Sequence, residues 1–394
     1  MRIMLFIIIF SIISNANPIS IKKPQSSGFD NSHLQLIDSL MIQAVLKKEI
    51  PGGVVVVGRN SSIVYLKGFG YKQVYNKLKP MKINTIFDLA SVTKPVATAS
   101  SIWKLVEQGK LTLWEKVTDF IPDFKVYEDS TGKKYPAPHI YHLLTHTAGL
   151  KPYLNVDSLK MKYGKKGSLK KVIDAIAKSD KIAAPGETFQ YSCLGFITLA
   201  YIIEKVSGMD INKFSQKYIF HPMNMNHTFF NPPSKYKKLI APTEVVNGKM
   251  LLGKVHDPLA RYIGGISGNA GLFSTAEDLS KFAIMLLNNG RYEDKVIFSP
   301  LTVKAMTSIY PYLADKGRTA GWDSKTAYSS VRGDILGMNS FGHSGYTGTS
   351  IWIDLDTKVF IIILTNRVHP QDKGSVISLR AKIANIVASS LIRP

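Results

Sequence analysis

Apolar residues recur at helical spacing near the start of the chain and then gather into two short runs. Residues 33–48 carry apolar side chains with the period of a helix and end before Pro51, which predicts an amphipathic helix. Residues 54–57 and 62–66 are apolar runs on either side of the turn at residues 59–61. This pattern predicts a β-hairpin directly after the helix.

The middle of the chain follows a helical pattern with long loops. Helical periodicity or helix start and stop signals are found at residues 96–108, 169–178, 195–207, 210–219, 275–289 and 299–307. Strand-like runs return at residues 340–346, 349–353 and 359–364, and a final helix is predicted at 375–391.

Both ends of the chain therefore carry strands and helices, whereas the middle is helical. Short links between consecutive strands require antiparallel pairing. We predict an α+β fold, with one antiparallel sheet built from both chain ends, flanked by helices, and a large helical region inserted between them. The sheet region is assigned to about residues 32–90 and 310–394 and the helical region to about 91–309. A functional site is expected in the cleft between these regions.

The first residues have the pattern of a secretory signal. Met1-Arg2 precedes an apolar run at residues 3–13, and Ser14-Asn15-Ala16 supplies the small residues of a cleavage site. The run is shorter than the roughly 20 residues that span a bilayer. We predict a signal peptide at residues 1–16, a flexible leader at 17–31 and one large folded domain at 32–394, in a protein that is periplasmic or secreted.

Charge and cysteine content narrow the classes of partner. The net charge is +22, but it comes mostly from lysines spread along the chain and not from a basic stripe interleaved with aromatic residues. This distribution favours a solubilising surface and no nucleic-acid partner, and leaves weak contact with anionic envelope polymers open. The single cysteine, Cys193, excludes an internal disulfide. The oligomeric state is not predicted.

Candidate chemistry begins with Ser91-Val92-Thr93-Lys94, which places a serine and a lysine on one side of a helical turn. A serine hydroxyl needs a base, and a lysine can serve if burial or a nearby positive charge depresses its pKa. The simpler interpretation is a helix N-cap beside a surface lysine. The same spacing occurs at Ser20/Lys23, Ser168/Lys171 and Ser234/Lys237, but those copies lie in polar, lysine-rich segments.

Two further segments carry candidate residues. Tyr191 lies in a loop before the helix predicted at 195–207, and its phenol could relay protons if it approached Lys94. Its alternative is an ordinary core tyrosine. His343-Ser344-Gly345 lies on a predicted strand, where the glycine permits close backbone approach and the strand edge could pair with an extended substrate. The alternative there is a sheet strand followed by a turn.

In chain order these segments resemble the three motifs of the serine β-lactamase-like and penicillin-binding protein family, namely Ser-x-x-Lys, Tyr-x-Asn and Lys/His-x-Gly. That family includes class C β-lactamases, DD-peptidases and related esterases. Residues 143–150, 185–187, 264–275 and 365–367 look like the same family, so the resemblance covers about residues 35–390. It implies a β-lactamase/transpeptidase-like fold.

The resemblance also implies a role for each matching residue. Ser91 is expected to be the acylated nucleophile, Lys94 its base or proton relay, and Tyr191 the proton shuttle to the leaving group. His343 and Ser344 are expected to hold the proton network and the acid group of the substrate. Gly345 completes this third motif, and the backbone N–H groups of Ser91 and Tyr346 are expected to form the oxyanion hole.

Two positions depart from the family pattern. Cys193 stands where asparagine usually binds the amide of the substrate, and a thiol is a poor hydrogen-bonding partner. His343 stands where lysine is usual, and histidine is mostly neutral at pH 7. Arg332, eleven residues before His343, is a candidate to supply the missing positive charge to a substrate carboxylate.

The expected function is that of an exported serine hydrolase acting through an acyl-enzyme on D-alanyl peptides of peptidoglycan or on related small amides and esters. An esterase of the same fold, a penicillin-binding sensor and a non-catalytic scaffold remain alternatives. His139, His142 and His146 recur at helical spacing, but they lack acidic or cysteine partners at ligand spacing. No metal and no cofactor are expected.

Overall fold

Successive valines of the first long strand point to opposite faces of a central sheet. In the computed structural model, which describes residues 19–393, Val54 and Val56 belong to one large hydrophobic core and Val55 and Val57 to a second one. Side chains alternate between the two faces of a strand, so four consecutive valines are typical of a strand that is buried on both sides.

The strands in chain order are β1 (Ser20–Ile21), β2 (Gly52–Arg59), β3 (Ser62–Gln73), β4 (Lys79–Pro80), β5 (Phe87–Asp88), β6 (Phe229–Phe230), β7 (Val245–Val246), β8 (Lys249–Met250), β9 (Leu272–Ser274), β10 (Arg291–Tyr292), β11 (Lys295–Val296), β12 (Ser340–Ser344), β13 (Ser350–Asp354) and β14 (Val359–Thr365). The α-helices are α1 (Asn31–Leu34), α2 (Leu36–Leu46), α3 (Ser100–Glu107), α4 (Val117–Phe120), α5 (Ile140–Leu144), α6 (Val156–Tyr163), α7 (Leu169–Lys178), α8 (Cys193–Ser207), α9 (Ile211–Ser215), α10 (Pro258–Tyr262), α11 (Ala276–Leu287), α12 (Pro300–Thr307) and α13 (Ile377–Ser389).

The main sheet joins the two ends of the chain. Its order is β1-β3-β2-β14-β13-β12, and β4 pairs with the outer part of β3. The pairings are antiparallel except for β1 on β3. The two chain ends are joined where β14 pairs with β2, with Ile362 opposite Val56. The predicted α+β architecture, with an antiparallel sheet made from both chain ends, is therefore confirmed.

Helices cover both faces of this sheet. On one face α2 and α13 pack together, with Met41 and Ile383 in the smaller core. On the other face α11 packs against β2 and β14, and Phe282 joins the larger core shared with the inserted helices. This arrangement buries the apolar runs of both chain ends between helical layers.

The described part of the segment predicted to be a flexible leader carries regular structure, which corrects that prediction. Strand β1 pairs with Ser62 and Ile63 of β3, and a 3-10 turn follows at Pro24–Ser27. Phe29 is completely buried in the smaller core, and the Asp30 N–H donates to the carbonyl of Ser390 at 2.7 Å. Burial of Phe29, the pairing of β1 and the backbone hydrogen bond to Ser390 together hold this segment on the domain.

The predicted signal peptide at residues 1–16 lies outside the described residues. Across residues 19–393, every helix falls short of the length and apolar character needed to cross a bilayer.

A small second sheet brings the inserted region to the edge of the main one. Its order is β5-β9-β6, and the Leu89 N–H continues the pairing by donating to the carbonyl of Leu272 at 2.9 Å. The next residues form a 3-10 turn at Ala90–Val92 and a π-helical turn at Lys94–Ala99, which runs into α3. Pro95 lies in the first turn of this helical segment, where the missing N–H costs no hydrogen bond.

Candidate active site

Ser91 lies in the 3-10 turn between β5 and the helical segment, and a buried carboxylate holds that turn. Ala90 adopts a φ of +46°, which is rare for a residue with a side chain. Asp88 Oδ1 accepts the Ala90 N–H at 2.9 Å, and its Oδ2 accepts the His256 N–H at 2.7 Å. Burial raises the pKa of Asp88 above its ordinary value. The strained turn is thereby fixed so that Ser91 faces the cavity.

The Lys94 ammonium is completely buried and contacts the nucleophile. Its Nζ donates to Ser91 Oγ at 3.0 Å and to the carbonyl of Asn269 at 3.0 Å, and it lies 3.6 Å from Cys193 Sγ. It also lies 5.0 Å from the ring centre of Tyr191. The predicted approach of Ser91, Lys94 and Tyr191 is thus present in the structure.

The protonation of this group differs from the sequence expectation. Burial, the largest influence, lowers the pKa of Lys94, but the neighbouring Cys193 and Tyr191 side chains together raise it by more, so the pKa of Lys94 is raised and not depressed. Burial raises the pKa of Tyr191 as well, against the opposing influence of the Lys94 ammonium. The resting site therefore holds an ammonium and a neutral phenol, and the pair must lose one proton before it can accept the proton of Ser91.

Tyr191 is held by a histidine that the sequence analysis considered only as a metal ligand. The His146 ring lies 4.3 Å from the Tyr191 ring, centre to centre, and its Nδ1 accepts the Ser192 N–H at 3.0 Å. Burial, with the nearby Arg318 and Lys94 charges, holds the pKa of His146 well below its usual range. His146 is therefore a neutral acceptor that orients the loop carrying Tyr191.

His343 lies on β12 facing Tyr191, at 6.0 Å between ring centres. Its Nδ1 donates to the carbonyl of Ser344 at 2.8 Å, which leaves Nε2 as an acceptor without a partner among the described residues. Burial, together with the charges of Arg318 and Lys94, holds the pKa of His343 well below its usual range. His343 is neutral in the resting site, so it supplies no positive charge to a substrate.

The end of β12 approaches the Ser91 turn closely. A Cβ on Gly345 would lie 2.3 Å from the carbonyl oxygen of Leu89, so only glycine fits there. Within the described residues, no acceptor bonds to the backbone N–H of Ser91 or of Tyr346. Both donors are available for an oxyanion. The Tyr346 side chain is exposed and donates its hydroxyl to Asp372 at 2.6 Å.

These residues open onto a cavity of about 520 Å³. Ser91, Tyr191, His343 and Ser344 line it, as do residues of the 3-10 turn at Ala327–Arg332 and the start of α13. Cys193 lies behind the cavity wall against Lys94. A cleft of this size suits a small peptide end or a small ester.

Comparison with known proteins identifies the family. The family model described as Beta-lactamase matches residues 35–385, which is most of the chain. The chain belongs to the Beta-lactamase family.

Curated proteins are similar to this chain over most of their length. The chain is 31% identical over 371 residues to an N-acetylmuramyl-L-alanine amidase of Bacillus subtilis (strain 168), covering 88% of this chain and 83% of that protein. It is 31% identical over 375 residues to a Salmonella agona (strain SL483) protein named for D-alanyl-D-alanine carboxypeptidase activity, covering 88% of this chain and 85% of that one.

A solved structure of the same fold is EstCE1, a hydrolase with promiscuous acyltransferase activity. Its TM-score is 0.71 at 22% identity, and the alignment covers 91% of this chain and 99% of EstCE1. At this identity the likeness concerns the fold alone. With the family established and the Ser91 site assembled, the protein is a serine hydrolase.

Arg332 does not occupy the place predicted for it in this Beta-lactamase family member. Its guanidinium donates to the carbonyl of Gly337 at 3.2 Å and to Ser340 Oγ at 3.1 Å, and its side chain does not line the cavity. These bonds turn the charge towards the loop before β12, which corrects its assignment to the substrate.

Three other arginines line the cavity, and the sequence analysis missed all of them. Arg367 donates to Asp372 at 2.8 Å, and Arg380 donates to the carbonyls of Gly345 and Thr349 at 3.0 and 2.8 Å. Arg318 is the third and is almost completely buried. Arg367 ends the family-like stretch at residues 365–367 but was given no role there, and no motif marks Arg318 or Arg380. The sequence marks the Tyr191 loop and β12 as parts of the site. Which arginines lie beside them is decided only by the folded chain.

The Ser168/Lys171 pair, which has the same spacing as Ser91 and Lys94, has a structural role. Ser168 is the N-cap of α7, where its Oγ accepts the Lys171 N–H at 3.3 Å, and the Lys171 side chain donates to the carbonyl of Tyr163. Burial is what separates Lys94 from these copies. Among residues 19–393 no group of three or more His, Cys, Asp or Glu side chains could hold a metal ion.

Proposed function

We propose that this serine hydrolase cleaves D-alanyl peptides of peptidoglycan through an acyl-enzyme on Ser91, and that small amides and esters are accepted at the same site. The observation that carries the proposal is the buried Lys94 Nζ, 3.0 Å from Oγ of Ser91, which lines a cavity together with three arginines. Buried guanidinium groups favour a substrate that carries a carboxylate. The name of the Salmonella agona relative supports the same substrate class.

In acylation, Ser91 Oγ attacks the carbonyl carbon of the substrate. Its proton passes to the Lys94 and Tyr191 pair once that pair has lost one proton to solvent. The carbonyl oxygen becomes an oxyanion facing the N–H groups of Ser91 and Tyr346, each worth roughly 3 kcal/mol in such sites. When the bond to the leaving nitrogen breaks, Tyr191 returns the proton to the amine, and the acyl group stays on Ser91.

Deacylation reverses these proton movements with water as the nucleophile. The same pair takes a proton from water as its oxygen attacks the acyl carbon, and that proton goes to Ser91 Oγ as the ester bond breaks. His343 Nε2 is a neutral acceptor at the cavity wall and can hold a water or substrate N–H in place.

One comparison tests the proposal directly. kcat/KM is measured on one preparation for a D-Ala-D-Ala peptide, a cephalosporin and a short-chain ester. The proposal expects measurable, Ser91-dependent release of D-alanine from the peptide. Turnover of the ester with no D-alanine release would overturn the assigned substrate.

An esterase is the second candidate, and Cys193 is the observation that favours it. The thiol lies 3.6 Å from Lys94 Nζ and offers no strong hydrogen bond to the amide of a peptide substrate. An ester needs no such contact. A penicillin-binding sensor is distinguished from both by its time course, since product release from a chromogenic ester would stop after one equivalent.

We also propose that the protein is exported by the segment at residues 1–16. The apolar run and small residues that precede Asn17 support this proposal. Fractionation of the producing cells and mass measurement test it: a mature chain that begins at Asn17 outside the cytoplasm is expected. An intact chain confined to the cytoplasm would contradict it.

A further inference from the structure

Two segments that lie far apart in the sequence carry several lysines and no acidic residue. Neither residues 68–87 nor residues 232–243 contain Asp or Glu. We call their seven lysines the lysine face, namely Lys72, Lys77, Lys79, Lys82, Lys235, Lys237 and Lys238. All of them except Lys72 are exposed to solvent.

The fold brings these two segments together. The Ile86 N–H donates to the carbonyl of Leu239 at 3.1 Å, and the Ala241 N–H donates to the carbonyl of Ile86 at 2.9 Å. The Lys72 ammonium donates to the backbone carbonyl of Lys238. Charges that are spread over two parts of the sequence are therefore neighbours in the folded protein.

The protein does not neutralise the positive charge of the lysine face. Within residues 19–393 no ion pair joins any of these seven lysines to a carboxylate. Burial, with the charges of Lys79 and Lys82, lowers the pKa of Lys72 below its ordinary value. Uncompensated charges of one sign attract an extended partner of the opposite sign.

Exposed apolar side chains stand among these lysines. Leu78, between Lys77 and Lys79, is 64% exposed, and Ile83, directly after Lys82, is 49% exposed. A single exposed leucine is ordinary on a protein surface. Apolar side chains set among lysines are instead typical of a surface that enters the headgroup region of a bilayer.

A second cavity, of about 590 Å³, is lined by Leu78 and borders the lysine face. Most of its wall is apolar and comes from Val45, Ile50, Pro51, Tyr71, Val74, Leu78 and Pro370. Its charged residues are Lys48, Glu49, Arg367 and Lys373, which leaves an excess of positive charge. An apolar recess with cationic residues around it suits the boundary between lipid headgroups and acyl chains.

We propose that the lysine face, together with Leu78 and Ile83, is a docking surface for an anionic lipid bilayer. The lysines are attracted to the lipid phosphates, and the two apolar side chains enter the headgroup region. A soluble polyanion would use the lysines alone and would leave the apolar side chains in water. Arg367 lines both the second cavity and the catalytic cavity, so docking holds the catalytic cavity beside the bilayer. The inference does not depend on which substrate Ser91 cleaves.

Co-sedimentation with lipid vesicles tests this inference. The full chain is used as the producing cells process it, and mass measurement establishes that every variant begins at the same residue. The wild type should bind vesicles of phosphatidylglycerol and phosphatidylcholine about 100-fold more tightly than vesicles of phosphatidylcholine alone, and added salt should weaken that binding. Equal binding to both kinds of vesicle, or to neither, would overturn the inference.

Two triple variants locate the docking surface. Lys77→Gln/Lys79→Gln/Lys82→Gln should lower the partition coefficient on anionic vesicles about 100-fold, because three lysines lose their attraction to the leaflet. The matched control, Lys165→Gln/Lys166→Gln/Lys170→Gln, removes the same net charge from exposed positions outside the lysine face and should stay within about threefold of the wild type. An equal loss in both triple variants would mean that net charge alone causes binding and would overturn the inference.

Leu78→Ser separates a bilayer from a soluble polyanion. It should weaken binding to anionic vesicles about tenfold, because less apolar surface enters the bilayer, and it should leave binding of inorganic polyphosphate unchanged. Unchanged vesicle binding in Leu78→Ser would indicate a polyanion site and overturn the inference. The changed side chains are exposed, so thermal melting should show wild-type folding in every variant. Ser91→Ala should bind vesicles as the wild type does, so a failure of the proposed hydrolase function would leave this test intact.

Discussion

Cys193 Sγ lies 3.6 Å from Lys94 Nζ, so cysteine occupies the position beside this buried lysine where the resemblance leads one to expect asparagine. Cys193 begins α8, and Ser192 caps that helix by accepting the Leu194 N–H with its Oγ. The backbone at this position is therefore set independently of the side chain. A change of side chain here alters the chemistry of the site and leaves its framework in place.

Cys193→Asn should raise kcat/KM for an amide substrate by about fivefold, because one added hydrogen bond to the substrate amide contributes roughly 1 kcal/mol. The gain should be smaller for an ester. Parallel assays of a D-alanyl peptide and a short-chain ester check this, with Cys193→Ser as the control that adds no amide group. Equal or lower amide turnover in Cys193→Asn would show that the contact is not limiting.

Ser91→Ala should abolish covalent labelling by a fluorescent fluorophosphonate or penicillin, because it removes the atom that is acylated. Gel fluorescence of purified protein measures this. Ser168→Ala is the matched control, since Ser168 belongs to another Ser-x-x-Lys pair but caps α7. That variant should lose about 1 kcal/mol of stability and keep its labelling. Undiminished labelling of Ser91→Ala would place the nucleophile elsewhere.

The fold followed from the sequence because its periodic signals agree with one another. Valines at positions 54–57 and the apolar run at 359–364 predict strands, and these strands pair directly as β2 and β14. Helix ends were equally predictable where a capping residue stands, as with Thr275, whose Oγ1 accepts the Asp278 N–H at 3.2 Å before α11. Phe29 shows the limit, because it stands apart from Ile19 and Ile21 in a polar leader and belongs to no periodic pattern that would predict its burial.

The site was predictable only where a motif carries its own geometry. Ser91 and Lys94 are three residues apart in one turn, so their contact is local. Arg318 comes to the cavity through tertiary packing of Trp103 and Gly321 against neighbouring segments, and no spacing in the sequence encodes that. The prediction for Arg332 was wrong for the same reason, because its nearness to His343 in sequence does not determine where its guanidinium points. The protonation of Lys94 likewise depends on partners from distant segments.

Lys94→Met should lower the acylation rate by about a thousandfold or more, because it removes the proton relay and leaves Ser91 Oγ without its partner. The rate of labelling in a stopped-flow or quenched experiment measures it. Lys171→Met removes a lysine from another Ser-x-x-Lys pair and should label at the wild-type rate. A loss below about tenfold in Lys94→Met would remove Lys94 from the relay.

The pH dependence follows from the raised pKa values of Lys94 and Tyr191. The pair must lose one proton before it accepts that of Ser91, so kcat/KM should rise with pH through neutrality and fall in acid. His343 should cause no change in kcat/KM near the ordinary pKa of histidine, because burial holds the pKa of His343 well below that range. Assays of a neutral ester between about pH 6 and 9 test this. A flat profile would mean that the pair is already deprotonated at rest.

Gly345→Ala should damage catalysis more than stability. The added Cβ would lie 2.2 Å from Thr349 Oγ1 and 2.3 Å from the carbonyl oxygen of Leu89, so the end of β12 must move away from the Ser91 turn. This shift moves the Tyr346 N–H from the oxyanion position, and a displacement of about 1 Å can cost roughly 100-fold in kcat/KM. Ester kinetics and thermal melting measure the two effects. Gly68→Ala, whose nearest neighbours lie at 3.6 Å, is the control that should retain both properties. If Gly345→Ala kept wild-type kcat/KM, the close approach of β12 to Leu89 would not set the oxyanion site.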